Sequence, residues 1–327
     1  MTVIPYVKMT GTGNDFVLVD ALRTPRRAAG RWSSLAQTMC DPRHGVGADG
    51  LLVLEPSKRA DVRMRIFNAD GSEASMCGNG VRCLGFYAFG TGAVKNGLRR
   101  MTNRIDVETK AGVKSTEILS ANRVKVMMGA PSFLRRVPHL TIKGRRLTDL
   151  YLVDSGVPHL VCWVDDVAEV DVQGLGQRLR SHPQFQPQGT NVDFVEMQGA
   201  DERFLRGMNL TIHHYRVKMR TYERGVEGET RACGTGAVAV AAAVAYRHPF
   251  RPAVHHSRQG RFRAVVQEQF LVDLTMPGGI LQVELYAHLA WDPARNQILF
   301  GPTYLEGDVK VLSRGTWNWN WNGKDHI

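Results

Sequence analysis

Cys77-Gly78-Asn79-Gly80 stands directly before an apolar run at residues 81–88, and Cys233-Gly234-Thr235-Gly236 stands directly before another at residues 237–244. Each string predicts a cysteine at the start of a buried helix. The unpaired N–H groups and the dipole of a helix N-terminus stabilise a thiolate, so we expect both thiols to have a pKa below the free value of about 8.5. Two such thiols, one from each half of the chain, can remove a proton from one face of a carbon and return one to the other face. The repeated string indicates racemisation or epimerisation without a cofactor.

A core cysteine before a buried helix is the alternative explanation for either string, because free cysteine is among the most buried residue types. This alternative is weaker for two copies with the same glycine spacing. The other three cysteines, Cys40, Cys83 and Cys162, lie in apolar or helical contexts and are predicted to belong to the core. The five cysteines show no disulfide framework and no C-x-x-C spacing for zinc.

The composition of the chain predicts two domains without a membrane span. Its 327 residues, of which 43% are hydrophobic, are enough for two cores. The first residues lack the charged and apolar regions of a signal peptide, and no stretch approaches the ~20 apolar residues that a membrane span needs. We therefore expect a cytoplasmic protein.

A net charge of +11 would favour binding to an acidic partner such as a nucleic acid. The basic residues are scattered in short clusters, one of which is the loop at 247–263. Proteins that bind single-stranded nucleic acid stack its bases on aromatic side chains, and the only comparable run is the alternating Trp/Asn segment at 317–322. That alternation suits an edge strand or a tail on the surface. Nucleic-acid binding is therefore not expected.

Strand patterns dominate both halves, and helical patterns are few. The predicted helices are Ser33–Met39, Val172–Arg180 and the two runs that follow Cys77 and Cys233. A helix that is apolar nearly all round must be enclosed, so each half is predicted to be a sheet wrapped around its cysteine-headed helix. The predicted fold class is α/β (α+β) with two similar domains. We predict a boundary at 127–131 that divides residues 1–127 plus 302–327, with the Cys77 helix, from residues 128–301, with the Cys233 helix.

Other glycine and histidine patterns suggest no nucleotide or metal site. Gly45–Gly50 has the dinucleotide-binding spacing, but a strand follows it where a helix is required. The pair His213-His214 lies in a strand pattern with side chains on opposite faces, and His255-His256 lies in a polar loop. No metal site is predicted.

Six strings together resemble diaminopimelate epimerases, in the order found in that family and from about residue 8 to residue 305. They are Gly11-Thr12-Gly13-Asn14-Asp15-Phe16, Phe67-Asn68-Ala69-Asp70-Gly71-Ser72-Glu73, Met76-Cys77-Gly78-Asn79-Gly80-Val81-Arg82-Cys83, Pro158-His159, Asn191-Val192-Asp193-Phe194, and Tyr222-Glu223-Arg224-Gly225 leading to Ala232-Cys233-Gly234-Thr235-Gly236-Ala237.

The resemblance implies an enzyme, independent of pyridoxal phosphate, that interconverts LL- and meso-2,6-diaminopimelate in the pathway to lysine and peptidoglycan. It also implies two barrels, each with a central helix, and an active site in the cleft between them. Cys77 and Cys233 would be the acid–base pair, and His159 and Glu223 would adjust the pKa values of the thiols. The residues implied in substrate binding are Gly78, Asn79, Gly234 and Thr235 at the reacting carboxylate and Asn14, Asn68, Asn191, Glu223 and Arg224 at the distal end.

The sequence also fits two other functions. The chain could be a racemase or epimerase of another amino acid, of the histidine or proline type, although Glu223 and Arg224 favour a substrate with a second amino-acid end. It could also be a non-catalytic binding protein on the same fold, against which the retention of both cysteines argues. Val157 stands where many family members carry Asn, so one side-chain contact to the distal group is expected to be absent. A homodimer is the expected oligomeric state.

Overall fold

A computed structural model of the chain describes residues 2–24, 30–93, 102–205, 210–248, 254–257, 260–263, 267–290 and 297–319. The chain divides into two compact units, the first formed by Met1–Val126 and Glu306–Ile327 and the second by Met127–Leu305. Within the described ranges, no helix is both long enough and apolar enough to cross a bilayer.

Strands make up most of the described chain. They are β1 Thr2–Gly11, β2 Asn14–Asp20, β3 Gly50–Glu55, β4 Val62–Asn68, β5 Glu73–Ala74, β6 Arg104–Thr109, β7 Gly112–Ile118, β8 Arg123–Met127, β9 Phe133–Val137, β10 Leu140–Ile142, β11 Arg145–Leu147, β12 Leu150–Asp154, β13 Pro158–Trp163, β14 Asn191–Leu205, β15 Leu210–Glu223, β16 Gly228–Thr230, β17 Val254–Ser257, β18 Gly260–Arg263, β19 Gln267–Met276, β20 Gly279–Ala290 and β21 Gln297–Trp319. The helices are α1 Trp32–Cys40, α2 Gly78–Thr91, α3 Val172–Arg180 and α4 Gly234–Arg247, with a 3-10 turn at Pro183–Phe185.

The first unit is a closed barrel of eight strands around α2. The strands pair in the order β1, β2, β3, β4, β6, β7, β8 and β21, and β21 pairs back onto β1. Helix α2 contacts six of these strands, β1 to β4, β6 and β7. Val81, Leu84 and Ala88 of this helix are fully buried, as an apolar helix enclosed by strands requires. Gly92, with a φ of 63°, ends the helix in the left-handed region.

The second unit is a sheet of seven consecutively paired strands around α4. The order is β9, β12, β13, β14, β15, β19 and β20, antiparallel except for the parallel pairs β13–β14 and β15–β19. Helix α4 contacts five of them, β12, β13, β14, β19 and β20. Its residues 237–245 are all at most 1% exposed, so the helix forms the core of this unit.

The predicted fold class is confirmed, since each unit wraps strands around one cysteine-headed helix. The sequence patterns did not predict β1, β9 or the part of β21 that precedes the Trp/Asn segment. Trp319 does not lie on the surface: it is 8% exposed and packs with Ile4 and Trp32 in a core cluster, while β21 pairs with β1. Residues 320–322 of the Trp/Asn segment lie outside the described residues. His255-His256, predicted in a loop, lies in β17.

Candidate active site

Cys77 is the N-cap residue of α2. Its backbone is extended, with φ −143° and ψ 120°, and its sulfur accepts a hydrogen bond from the Gly80 N–H at 3.5 Å. The side chain is half-buried. A thiolate at this position faces the positive end of the helix dipole and a backbone donor, which is the arrangement that makes a cysteine reactive.

A network of hydrogen bonds around Asn79 lies beside Cys77. The Asn79 Nδ2 donates to Asn14 Oδ1 at 2.5 Å. The fully buried Arg82 donates from Nη2 to Asn79 Oδ1 at 2.8 Å and to Thr12 Oγ1 at 2.9 Å, and Thr12 in turn donates to Asp308 at 3.0 Å. The network fixes the Asn79 side chain directly after Gly78 at the start of the helix.

Cys233 is the N-cap residue of α4 and is 5% exposed. Its pKa is raised well above the ordinary thiol value, first by burial and then by the negative charges of Glu223 and Asp193. The expectation of a lowered pKa at this helix start is therefore wrong for Cys233. Hydrogen bonds from Thr235 and the Gly236 backbone act in the expected direction, but burial and the two carboxylates outweigh them.

A buried chain of polar groups leads from Cys233 to Asp193. The Cys233 sulfur lies 3.5 Å from Thr235 Oγ1, and that oxygen lies 3.0 Å from His159 Nε2. On the other side of the ring, His159 Nδ1 lies 2.7 Å from Asp193 Oδ2, and both residues are fully buried. The Thr221 hydroxyl donates to the second carboxylate oxygen of Asp193 at 2.8 Å.

Asn191 determines which nitrogen of His159 carries the proton. The Arg224 N–H donates to Asn191 Oδ1 at 2.8 Å, which fixes the amide so that its Nδ2 points to His159 Nε2 at 3.3 Å. Because Nδ2 can only donate, Nε2 must accept, and the ring proton resides on Nδ1 facing Asp193. His159 Nε2 is thus a proton acceptor for Thr235.

Glu223 and Arg224 follow one another at the end of β15. Burial raises the pKa of Glu223. The Arg224 side chain donates from Nη1 to Gln188 O at 2.9 Å. One acidic and one basic side chain therefore follow each other where β15 ends, in the same unit as Cys233.

The structure gathers most of the predicted site residues into two groups, one in each unit. Among the described residues, no hydrogen bond links Asn68 to the first group: it is the exposed last residue of β4, and its Nδ2 donates to Ser72 Oγ at 3.0 Å. Arg82 and Asp193 were given no role by the sequence analysis. The signal for both was a charged residue inside an apolar run, between Val81 and Cys83 and between Val192 and Phe194.

The sequence profile of the diaminopimelate epimerase family matches residues 6–134 and 151–288. The chain belongs to this family. A diaminopimelate epimerase of Methanocella arvoryzae is 40% identical over 255 residues, which cover 75% of this chain and 83% of that relative. The family member of Archaeoglobus fulgidus is 37% identical over 299 residues, with 88% and 91% covered. That of Carboxydothermus hydrogenoformans is 33% identical over 323 residues, with 95% and 98% covered.

Solved structures outside the diaminopimelate epimerase family share the fold. A phenazine biosynthesis protein of the PhzF family from Bacillus anthracis has a TM-score of 0.64 at 14% identity, covering 98% of this chain and 100% of that one. A probable proline racemase from Agrobacterium radiobacter has a TM-score of 0.61 at 14% identity, covering 98% and 94%. At this identity the similarity concerns the fold alone.

Proposed function

We propose that the chain interconverts LL- and meso-2,6-diaminopimelate, without pyridoxal phosphate, in the pathway to lysine and peptidoglycan. The membership of the chain in the diaminopimelate epimerase family carries the proposal. Two cysteines at helix starts, each beside its own buried polar network, support it.

In this proposal Cys77 and Cys233 have opposite tasks in the direction from the LL to the meso isomer. Cys77 removes the α-proton as a thiolate, and Cys233 delivers a proton as a thiol. The raised pKa of Cys233 supports the second role, because a general acid must be protonated before the reaction. In the reverse direction Cys233 needs to lose its proton, and the path through Thr235 Oγ1 to His159 Nε2 offers an acceptor.

The substrate would be held at both of its amino-acid ends. The N–H groups at the starts of α2 and α4, from Gly78, Asn79, Gly234 and Thr235, suit the reacting carboxylate. For the distal end we propose Asn14 and Asn68 from the first unit and Glu223 and Arg224 from the second, since a carboxylate and a guanidinium match an ammonium group and a carboxylate. Asn191 uses its amide on Arg224 and His159, so we assign it a positioning role.

A chiral assay of the purified, reduced protein tests the proposal. LL-diaminopimelate, incubated without added pyridoxal phosphate, should give a mixture with the meso isomer, resolved by chiral chromatography. Cys77→Ala and Cys233→Ala should each lower the rate by at least about 10²–10⁴-fold, because each removes one acid–base group. Cys83→Ala is the matched control on the same helix and should retain turnover.

Three outcomes of this assay would contradict the proposal. Turnover of histidine or proline with none of diaminopimelate would assign a different substrate to the same chemistry. Binding of diaminopimelate without turnover of any amino acid would indicate a binding protein. An equal loss in Cys83→Ala would mean that the wrong thiol has been chosen.

A further inference from the structure

Two histidines and one glutamate meet inside the second unit. His213 on β15, His248 directly after α4 and Glu268 on β19 each place one nitrogen or oxygen within 4.8 Å of the others. His213 and Glu268 are 4% and 6% exposed, and the His248 side chain is 12% exposed. The parallel pairing of β15 with β19 produces the cluster, because it sets Thr211 opposite Glu268 and His213 opposite Phe270.

The distances within the cluster are close to those of a metal site. His213 Nε2 lies 3.2 Å and His248 Nε2 lies 3.8 Å from Glu268 Oε2. Ligands of a tetrahedral Zn²⁺ lie about 2.0–2.2 Å from the metal, so they are about 3.3–3.6 Å from one another. Small side-chain shifts would bring all three atoms to these separations.

Two of the three atoms have no hydrogen bond from the described residues. His213 Nε2 and Glu268 Oε2 are both buried, and although they are 3.2 Å apart their geometry does not make a hydrogen bond. A buried polar atom without a partner destabilises the folded protein, because it has lost its hydrogen bonds to water. A cation bound between them would satisfy both atoms.

The opposite nitrogens of the two rings face oxygen atoms. His248 Nδ1 lies 2.7 Å from the Tyr215 hydroxyl, and His213 Nδ1 lies 3.8 Å from Glu202 Oε2. Histidines that bind metals usually donate their second N–H to such an oxygen, which leaves Nε2 as the coordinating atom. Both rings therefore direct Nε2 towards Glu268.

We propose that His213, His248 and Glu268 bind one divalent transition-metal ion of the Zn²⁺ type. Two imidazoles and one carboxylate suit Zn²⁺, whereas Mg²⁺ and Ca²⁺ prefer oxygen ligands throughout. The ion would connect the end of α4 to β15 and β19. Since α4 begins at Cys233, the metal would hold in place the helix that carries the proposed acid, without taking part in the reaction.

Metal analysis of the full-length protein tests the proposal. Chelator-treated and desalted protein is equilibrated with Zn²⁺, desalted again and analysed by elemental mass spectrometry, and Co²⁺ serves as a spectroscopic probe of tetrahedral coordination. We expect one Zn²⁺ per chain. Glu268→Gln, which preserves shape, and His213→Ala should lose it, and Tyr215→Phe should bind it about 10–100-fold more weakly.

Two controls separate the cluster from other ligands. His214→Ala changes the next histidine on the same strand, which pairs with Asp273 at 2.8 Å, and it should retain the ion. The double variant Cys77→Ser/Cys233→Ser should also retain it. The proposal is overturned if wild-type protein retains no Zn²⁺, if Glu268→Gln and His213→Ala retain it fully, or if only the cysteine variant loses it. The first two results would reduce the cluster to a buried histidine–glutamate ion pair.

Discussion

Arg82 is a fully buried cation on the helix that Cys77 begins. Burying a charge is costly unless an opposite charge compensates it. Burial lowers the pKa of Arg82, whereas Cys83, Cys77 and Asp308 act in the opposite direction. Burial also raises the pKa of Cys83 to about 12, so Cys83 is a neutral thiol at neutral pH. The Asp308 carboxylate then compensates Arg82, and the Cys77 sulfur adds to it when its thiol is ionised.

Arg82→Met should therefore make Cys77 less reactive. We expect alkylation of Cys77 by iodoacetamide, measured at a pH well below the pKa of its thiol, to slow by about 10-fold, the effect of one pKa unit, because the thiolate loses a nearby positive charge. Peptide mapping by mass spectrometry separates Cys77 from the other thiols. Arg104→Met, which removes an exposed guanidinium 3.5 Å from Glu117, is the control and should leave the rate unchanged. An unchanged rate in a folded Arg82→Met protein would show that Arg82 has no electrostatic effect on Cys77.

Glu223→Gln should make Cys233 more reactive. After burial, the Glu223 carboxylate is the largest cause of the raised pKa of Cys233. A neutral glutamine removes that repulsion, so the pKa of Cys233 should fall and its alkylation at a fixed alkaline pH should become about 10-fold faster. The pH dependence of Cys233 modification measures the shift. Glu229→Gln, whose carboxylate pairs with Arg220 at 2.7 Å, is the matched control. A pKa that stays or rises would contradict the assignment.

The position of each site cysteine could be predicted from the sequence, whereas its electrostatic surroundings could not. A glycine string before an apolar run is a local pattern, and it placed Cys77 and Cys233 at helix starts. The charge around Cys233 comes from Glu223 and Asp193 on other strands. Which strands enclose a helix depends on tertiary pairing, and burial reversed the direction expected from the helix dipole alone.

Helix α4 lies so close to β14 that only glycine fits at its third position. A Cβ at Gly236 would lie 2.7 Å from Asp193 Oδ1 and 2.7 Å from Met219 Cε. Asp193 cannot withdraw without breaking its contacts with His159 and Thr221. The second glycine of the cysteine string is therefore required for helix packing.

Gly236→Ala and Gly90→Ala should change stability in opposite directions. Gly236→Ala should lower the free energy of unfolding by about 1–3 kcal/mol, the usual cost of overpacking. Gly90, exposed near the end of α2 with nothing within 4 Å of its Cβ position, should give a gain of about 0.5–1 kcal/mol when replaced by Ala. Urea denaturation measures both changes. A neutral Gly236→Ala would mean that β14 can move away from α4 at little cost.

Periodic elements with local signals were predictable, and elements defined by distant partners were not. Helix α3 was predicted with its observed bounds, Val172–Arg180. Strand β1 was missed, because it pairs with β2 beside it and also with β21 about 300 residues away. The alternating tryptophans suggested a strand, but an alternation does not reveal which face is covered. Trp319 is buried because Ile4 and Trp32 cover it.

The two units each enclose a cysteine-headed helix, but the charges near the two cysteines differ in sign. In the first unit a buried guanidinium lies near the thiol at the start of the central helix. In the second unit burial, followed by two carboxylates, raises the pKa of the corresponding thiol. Two thiols in identical surroundings would both be protonated or both be ionised at a given pH. On the roles proposed above, this asymmetry would favour Cys77 as the base and Cys233 as the acid at the same pH, which a two-base epimerisation needs at the start of each turnover.

Hydrogen exchange with solvent distinguishes two bases from one. If Cys77 removes the α-proton and Cys233 supplies another, LL-diaminopimelate in deuterated water should give a meso product that carries deuterium at the inverted carbon. The unreacted LL isomer should remain largely unlabelled at early times, because the base that removes its proton is not the acid that supplies the product. Mass spectrometry of the separated isomers at low conversion measures both. A meso product that keeps the original hydrogen would mean that a single group carries the proton from one face to the other, and the division of tasks between Cys77 and Cys233 would then be wrong.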